Sequence, residues 1–160
     1  MSEHESVRPE EIPGFLFIDH VAISVPAGQL DAMVAAYEML GFKVLHREEV
    51  PAPHLVREVL LQIGDGPNLI QLLEPTSDES PVAKSIAKRD GRGGVEHIAF
   101  RVRDAQVAFD ALKAKGFRMT SNAPGPGSRG TTIFFIHPKS REDAPFGVLY
   151  EIVEDPSTRG

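Results

Sequence analysis

Between Ile18 and Val25 apolar side chains fall on every second position, with Val21, Ile23 and Val25 on one face and His20, Ala22 and Ser24 on the other. That period belongs to a β-strand and sets His20 on its less apolar face. Leu30, Met33, Val34, Tyr37 and Leu40 then recur at helical spacing, and Gly41 supplies the left-handed stop that ends a helix. Strand-like stretches follow at about 42–49, 55–63 and 68–74, separated by Pro51-Ala-Pro53 and by Gly64-Asp-Gly-Pro67. Ser80 with Pro81 behind it predicts the cap and first turn of a short helix that stops before Gly91-Arg-Gly-Gly94.

The pattern then starts again. Asp19-His-Val-Ala-Ile-Ser-Val25 is echoed 77 residues on by Glu96-His-Ile-Ala-Phe-Arg-Val102. Asp104 predicts the cap of a helix carrying Ala105, Ala108, Phe109 and Leu112, which ends at Gly116-Phe117 as the earlier one ends at Gly41-Phe42. Strands are expected at about 117–121, 131–137 and 147–154. The chain is therefore an internal duplication of a β-α-β-β-β unit. Neither unit's sheet can cover both of its faces, so the expected architecture is α+β, with tandem βαβββ modules forming one curved, half-barrel-like mixed sheet and helices outside. The concave side is the natural site, and the segments 122–130 and 138–146 read as loops at its mouth. Residues 1–14 read as a mobile leader and 15–154 as a single domain, with modules at about 15–79 and 95–154 and a linking helix and loop at 80–94. Residues 155–160 read as a tail.

Composition narrows the functional classes. The 160 residues hold 41% hydrophobic and 25% charged side chains, an ordinary balance for a folded chain in water. Seventeen basic and 23 acidic residues leave a net charge of -6, which argues against nucleic acid and anionic membrane as partners. Half of that charge sits in the first thirteen residues, where Glu3, Glu5, Glu10 and Glu11 face only Arg8. With no cysteine, disulfides, thiolate nucleophiles and thiolate metal sites are excluded, so any metal is held by His, Gln, Asp or Glu. No apolar run reaches the roughly 20 residues a membrane helix needs, and the polar start lacks signal-peptide character, so a cytoplasmic location is expected.

The duplication singles out candidate chemistry. His20 and His97 occupy equivalent places, and two imidazoles related by pseudo-symmetry would converge in the cleft. The last strands of the two units match as well, Leu69-Ile-Gln-Leu-Leu-Glu74 against Leu149-Tyr-Glu-Ile-Val-Glu154, which puts Gln71 and Glu151 in the same register. An amide and a carboxylate inside aliphatic strands are costly to bury unless paired or bound to a cation. His20, Gln71, His97 and Glu151 together make a mixed N/O set that suits a divalent ion of the Co, Mn, Ni, Fe or Zn kind. Glu58, flanked by Val56 and Leu60, is either an edge residue in solvent or a carboxylate facing the cleft, where it would serve as a general base for a carbon acid. His46-Arg-Glu-Glu49, the unrepeated His4, His54 and His137, and the basic Lys84, Lys88, Arg89 and Arg92 read as solvated or packed surface. The loop Gly125-Pro-Gly-Ser-Arg-Gly130 matches no P-loop or dinucleotide motif, though its backbone amides suit an anion. Arg129 in that loop and Lys139 in the next are the substrate-binding candidates.

From Ile18 to Glu154 the chain resembles the vicinal oxygen chelate (glyoxalase/bleomycin resistance/dioxygenase) superfamily, and within it the methylmalonyl-CoA epimerase family. The likeness rests on Ile18-Asp-His-Val-Ala22, Val56-Arg-Glu58, Ile70-Gln-Leu-Leu-Glu-Pro75, Ser80-Pro-Val-Ala-Lys84, His97-Ile-Ala-Phe100, His137-Pro-Lys-Ser140 and Gly147-Val-Leu-Tyr-Glu151. It implies that His20, Gln71, His97 and Glu151 bind a divalent metal, cobalt first and manganese, nickel or zinc next. It further implies that Glu58 transfers a proton between the 2R and 2S epimers of an acyl-CoA substrate through a metal-stabilised enolate. The partner acting on the other face is left open among Glu151, a water and another carboxylate, and a homodimer is expected.

Two departures bear on the acyl group. Pro51-Ala-Pro-His-Leu55 replaces the family's Glu-Gln-Gly stretch, and Arg141-Glu-Asp-Ala-Pro-Phe146 is added before Gly147. A larger 2-substituted substrate such as ethylmalonyl-CoA therefore stays open. The rival readings on the same scaffold are a glyoxalase I type enzyme, an iron extradiol dioxygenase, and an antibiotic-binding protein without catalysis. The filled ligand positions argue against the last.

Overall fold

The computed structural model describes residues 11–140, 143 and 145–158; residues 1–10 of the leader, 159 and 160 of the tail, and 141, 142 and 144 of the added stretch lie outside them. The first module runs β1 (Phe15–Ser24), α1 (Leu30–Met39), β2 (Lys43–Val50), β3 (Val56–Gln62) and β4 (Leu69–Pro75). Helix α2 (Pro81–Lys88) links it to β5 (Gly94–Val102), α3 (Ala105–Ala114), β6 (Gly125–Pro126), β7 (Thr132–Ile136) and β8 (Leu149–Glu154). One difference from the sequence expectation concerns 117–121. Instead of a strand, that stretch makes a single bridge from Met119 to Ile136, and the two-residue β6 takes the edge beside β7. The Pro/Gly-rich loop supplies the edge because Gly127 folds its own N–H back onto the Thr131 carbonyl.

All eight strands form one sheet in the order β2-β3-β4-β1-β5-β8-β7-β6. Within each half the first strand runs parallel to the last, β1 to β4 and β5 to β8, while β1 and β5 join the halves antiparallel. That order is the signature of two copies of one unit related by a pseudo-twofold axis between β1 and β5.

The alternation along β4 and β8 shows how each half divides its side chains. Ile70 and Leu72 join Val25, Leu30, Val34, Val59 and Leu61 in a core under α1, while Tyr150 and Ile152 pack with Ala105, Phe109, Leu112 and Phe134 under α3. Gln71, Leu73, Glu151 and Val153 point the other way and line the cleft. The third position in each outward row is an acid. Glu74 Oε2 accepts the N–H groups of Gly28 and Leu30 at 2.8 and 3.1 Å, and Glu154 Oε1 accepts that of Ala105 at 3.0 Å. These buried carboxylates satisfy free N–H groups at the starts of α1 and α3, where the helix dipole also favours negative charge. Helix α2 is capped by Ser80, as its sequence predicts, and seats Val82 and Ile86 against Ala22, Val56 and Leu73 at one end of the cleft. Arg89 departs from its expected solvated role. Its guanidinium donates to Ser24 Oγ and to the Val95 carbonyl, each at 3.0 Å, and so pins the end of α2 to the central strands.

Candidate metal and proton-transfer site

Register decides which side chains meet. Ala22 lies opposite Gln71 on β4 and His97 on β5, and Ala99 lies opposite His20 on β1 and Glu151 on β8. Two buried alanines beside the axis leave open space above them, and the four larger polar groups lean into it. His20 Nε2 and His97 Nε2 approach to 3.1 Å, and the two oxygens of Glu151 stand 3.6 Å from one imidazole nitrogen each. Gln71 Oε1 is buried and has no hydrogen-bond partner among the described residues.

The arrangement fits a cation. Two imidazole nitrogens facing each other need a proton or an ion between them, and an orphaned buried amide oxygen costs about 1–3 kcal/mol. The ligand atoms of His20, His97 and Glu151 all lie within 4.8 Å of one another. Two nitrogens, one amide oxygen and one carboxylate fit a divalent ion of the first transition row.

The two histidines have different surroundings. A register shift in β1 between Ile18 and His20 turns both Asp19 and His20 inward, whereas simple alternation would have sent Asp19 to the opposite face. Asp19 Oδ2 then holds His20 Nδ1 at 2.7 Å, while its Oδ1 accepts from Arg101 Nε at 2.7 Å. Burial works to push Asp19 up, but His20 and Arg101 outweigh it and hold the carboxyl below its usual range. Burial likewise works to lower His20, and the bond from Asp19 with the charges of Glu151, Asp19 and Glu58 raises it instead. His97 has no such carboxylate, because the equivalent Glu96 turns to Ser85 and Arg89; burial, then the charges of His20 and His54, push it well below 6.5. Burial lifts Glu151 from 4.5 to about 7.

Glu58 faces the cleft and is 2% exposed, which resolves the alternative left by its spacing. Its pseudo-symmetric counterpart is Ile133, since Glu58 pairs with Leu73 as Ile133 pairs with Val153. The duplicated strands therefore supply one such carboxylate and an aliphatic side chain in its place on the other side. Across the cleft, the 3-10 turn Ser128–Gly130 approaches Glu58: Ser128 Oγ donates to Oε1 at 3.2 Å, and Arg129 Nε stands 3.8 Å from the same oxygen. Arg129, in left-handed backbone at φ 57°, also reaches Asp155, which faces Arg101. A chain of alternating charge thus runs from Glu58 through Arg129, Asp155, Arg101 and Asp19 to His20.

The sequence candidates divide accordingly. His20, Gln71, His97, Glu151, Glu58 and Arg129 all line one cleft of about 540 Å³, a size suited to a small acyl group. Lys139 does not; it is exposed, and its N–H donates to His137 Nδ1 in a turn away from the cleft lining. His54, which the sequence places with packed or solvated surface, lines the cleft, and so does Ser128, which no sequence pattern marks beside its neighbour Arg129. The acid preceding His20 was visible, but the bulge that makes it a partner leaves no mark in an alternating pattern.

Comparison with known proteins identifies the class. The model of the Glyoxalase/Bleomycin resistance protein/Dioxygenase superfamily matches residues 19–135. The Ethylmalonyl-CoA/methylmalonyl-CoA epimerase of Cereibacter sphaeroides is 37% identical over 125 residues, covering 76% of this chain and 88% of that protein. The human mitochondrial methylmalonyl-CoA epimerase is 36% identical over 137 residues, covering 84% and 72%. A solved structure of a substituted Streptomyces coelicolor methylmalonyl-CoA epimerase, in complex with 2-nitronate-propionyl-CoA, superposes with a TM-score of 0.77 at 38% identity, covering 89% of this chain and 99% of that one. The chain belongs to this superfamily and, within it, to the methylmalonyl-CoA epimerase family.

Proposed function

We propose that this protein is an epimerase that interconverts the 2R and 2S forms of methylmalonyl-CoA by moving the proton on the carbon between thioester and carboxylate. The observation that carries this reading is the buried Glu58 carboxylate, held in one acyl-sized cleft with the converging His20, Gln71, His97 and Glu151. These four groups would hold a divalent metal, with cobalt first among the candidates and manganese, nickel and zinc behind it. Bound there, the ion supplies Lewis-acid charge that polarises an oxygen ligand.

The protein's own groups do the rest. Glu58 takes the α-proton on its side of the substrate. The Ser128 hydroxyl and the Arg129 guanidinium fix the carboxylate's position, and Arg129 adds positive charge for a substrate carboxylate. On the opposite side Ile133 excludes water without competing for a proton, so the second proton carrier stands elsewhere, with Glu151 an ionisable candidate in the cleft.

A homodimer belongs to this reading, supported by the open sheet edges at β2 and β6 and by the exposed Phe15, Ile18 and Val95 on the central strand pair. Among the described residues no helix is long and apolar enough to cross a membrane. We place the enzyme in the cytoplasm, in keeping with its likeness to the bacterial epimerase of Cereibacter sphaeroides. The test starts from a single epimer of methylmalonyl-CoA or ethylmalonyl-CoA and follows circular dichroism after adding the cobalt-loaded protein. Decay toward the value of the equilibrium mixture of the two epimers is expected for methylmalonyl-CoA. A constant signal, with turnover of a glutathione hemithioacetal instead, overturns the assignment in favour of glyoxalase chemistry.

A further inference from the structure

A second group of titratable side chains faces Glu58 from the neighbouring strand. The irregularity between Val44 and His46 turns His46, Glu48 and Val50 toward the cleft side of β2, leaving Arg47 and Glu49 to pair outside with Asp31 and Arg57. Glu48 lies directly opposite Glu58 in the ladder, and His46 Nε2 stands 3.1 Å from Glu48 Oε2. Ligand atoms of all three lie within 4.8 Å of one another. Like charges directly opposite across an antiparallel pair destabilise a sheet, so fold stability does not explain the placement.

The reaction does explain it. When Glu58 removes a proton from one face and another group donates one to the opposite face, turnover ends with Glu58 carrying an extra proton and the other group lacking one. Glu58 must lose that proton before it can act again in the same direction, yet it is 2% exposed. Its other partners offer no exit. Ser128 donates its hydroxyl proton to Glu58, and Arg129 is a permanent cation. The side chains of Glu48 and His46 are 33% and 34% exposed, so the row Glu58, Glu48, His46 rises from the cleft floor to solvent.

We propose that Glu48 and His46 form a proton relay that resets Glu58, an inference that rests on Glu58 being the base. The proton passes from the Glu58 carboxyl to the Glu48 carboxylate, then to His46 Nε2, and the imidazole gives up a proton to water. Meanwhile the group on the opposite face regains one from solvent, and the protein returns to its starting protonation with no net proton consumed. His46 and Glu48 are positioning residues for proton traffic and touch no substrate.

The test uses the full chain loaded with cobalt, carrying Glu48→Gln or His46→Ala, assayed in dilute buffer and then with added imidazole. Each variant is expected to lose roughly 10- to 100-fold in kcat with KM unchanged, at or below the lower end of what positioned proton transfer contributes. Rising imidazole should restore most of the rate and then saturate, while leaving the wild type unaffected. An unchanged kcat in dilute buffer, or a loss that imidazole does not reverse, overturns the relay. Failure of the underlying reading shows separately, as full activity in Glu58→Ala.

Discussion

Replacing Asp19 by asparagine separates the support of a metal ligand from the ligand itself. In the native site Asp19 Oδ2 lies 2.7 Å from His20 Nδ1, so the carboxylate accepts the Nδ1 proton and leaves Nε2 free to face His97 and Glu151. Asparagine keeps the shape but offers only one acceptor oxygen. Arg101, whose Nε and terminal nitrogen both bind Asp19 Oδ1, claims that oxygen and turns the amide NH2 toward His20. The ring must then accept at Nδ1, which moves its proton to Nε2, the atom that would bind the metal. Loss of such a supporting partner costs about 10- to 100-fold in metal affinity, or about 1.4–2.7 kcal/mol. The fold should suffer about 2 kcal/mol, below the roughly 3–5 kcal/mol of an abandoned buried pair, because Asp155 still stands 3.6 Å from Arg101. Cobalt affinity by titration calorimetry and stability by urea unfolding, read on the same preparations, check both parts. Wild-type cobalt affinity in a folded Asp19→Asn protein refutes the tautomer argument.

Three further outcomes follow from the same geometry. Gln71→Leu removes an oxygen with no hydrogen-bond partner, so the metal-free variant should melt at or above the wild-type temperature while its metal affinity falls; a lower melting point contradicts the orphaned-oxygen assignment. Metal binding must displace protons from Glu151, lifted to about 7, and from His20, raised by Asp19; affinity should therefore climb as pH rises through about 6–8, with proton release measurable in weakly buffered solution. In Glu151→Gln the climb should become shallower. Gly127→Ala places a methyl carbon 2.5 Å from Thr131 Oγ1 and 2.8 Å from Ile133 Cγ2, displacing the turn that holds Ser128 and Arg129 on Glu58. Its kcat should fall by roughly 10-fold or more with metal affinity intact.

Repetition made much of this site legible. A lone histidine in a strand says little, but His20 and His97 recur in equivalent seven-residue motifs, and Gln71 and Glu151 recur in equivalent strands. Once the chain is recognised as two copies, the pairing of β1 with β5 brings the four groups around Ala22 and Ala99. What stayed hidden depends on breaks in that regularity. Asp19 became a partner of His20 through a one-residue shift of register, and His46 and Glu48 turned inward through another. The expected strand at 117–121 failed because the edge went to residues 125–126, where Gly127 permits a turn that a larger residue would block. Glu74 and Glu154 were seen as a repeat, but their task, holding helix starts from a neighbouring strand, depends on contacts 44–49 residues apart in the chain.

In the proposed mechanism Glu58 carries the α-proton of an acyl-CoA substrate. Its most direct test is to incubate (2R)-methylmalonyl-CoA with the cobalt-loaded protein in deuterium oxide and follow the α-proton signal by NMR, beside a folded, metal-replete Glu58→Ala variant. Loss of the α-proton that requires metal and falls by at least roughly 100-fold in the variant is the predicted result. Retention of the α-proton with the wild-type protein, or equal exchange with the variant, would contradict it.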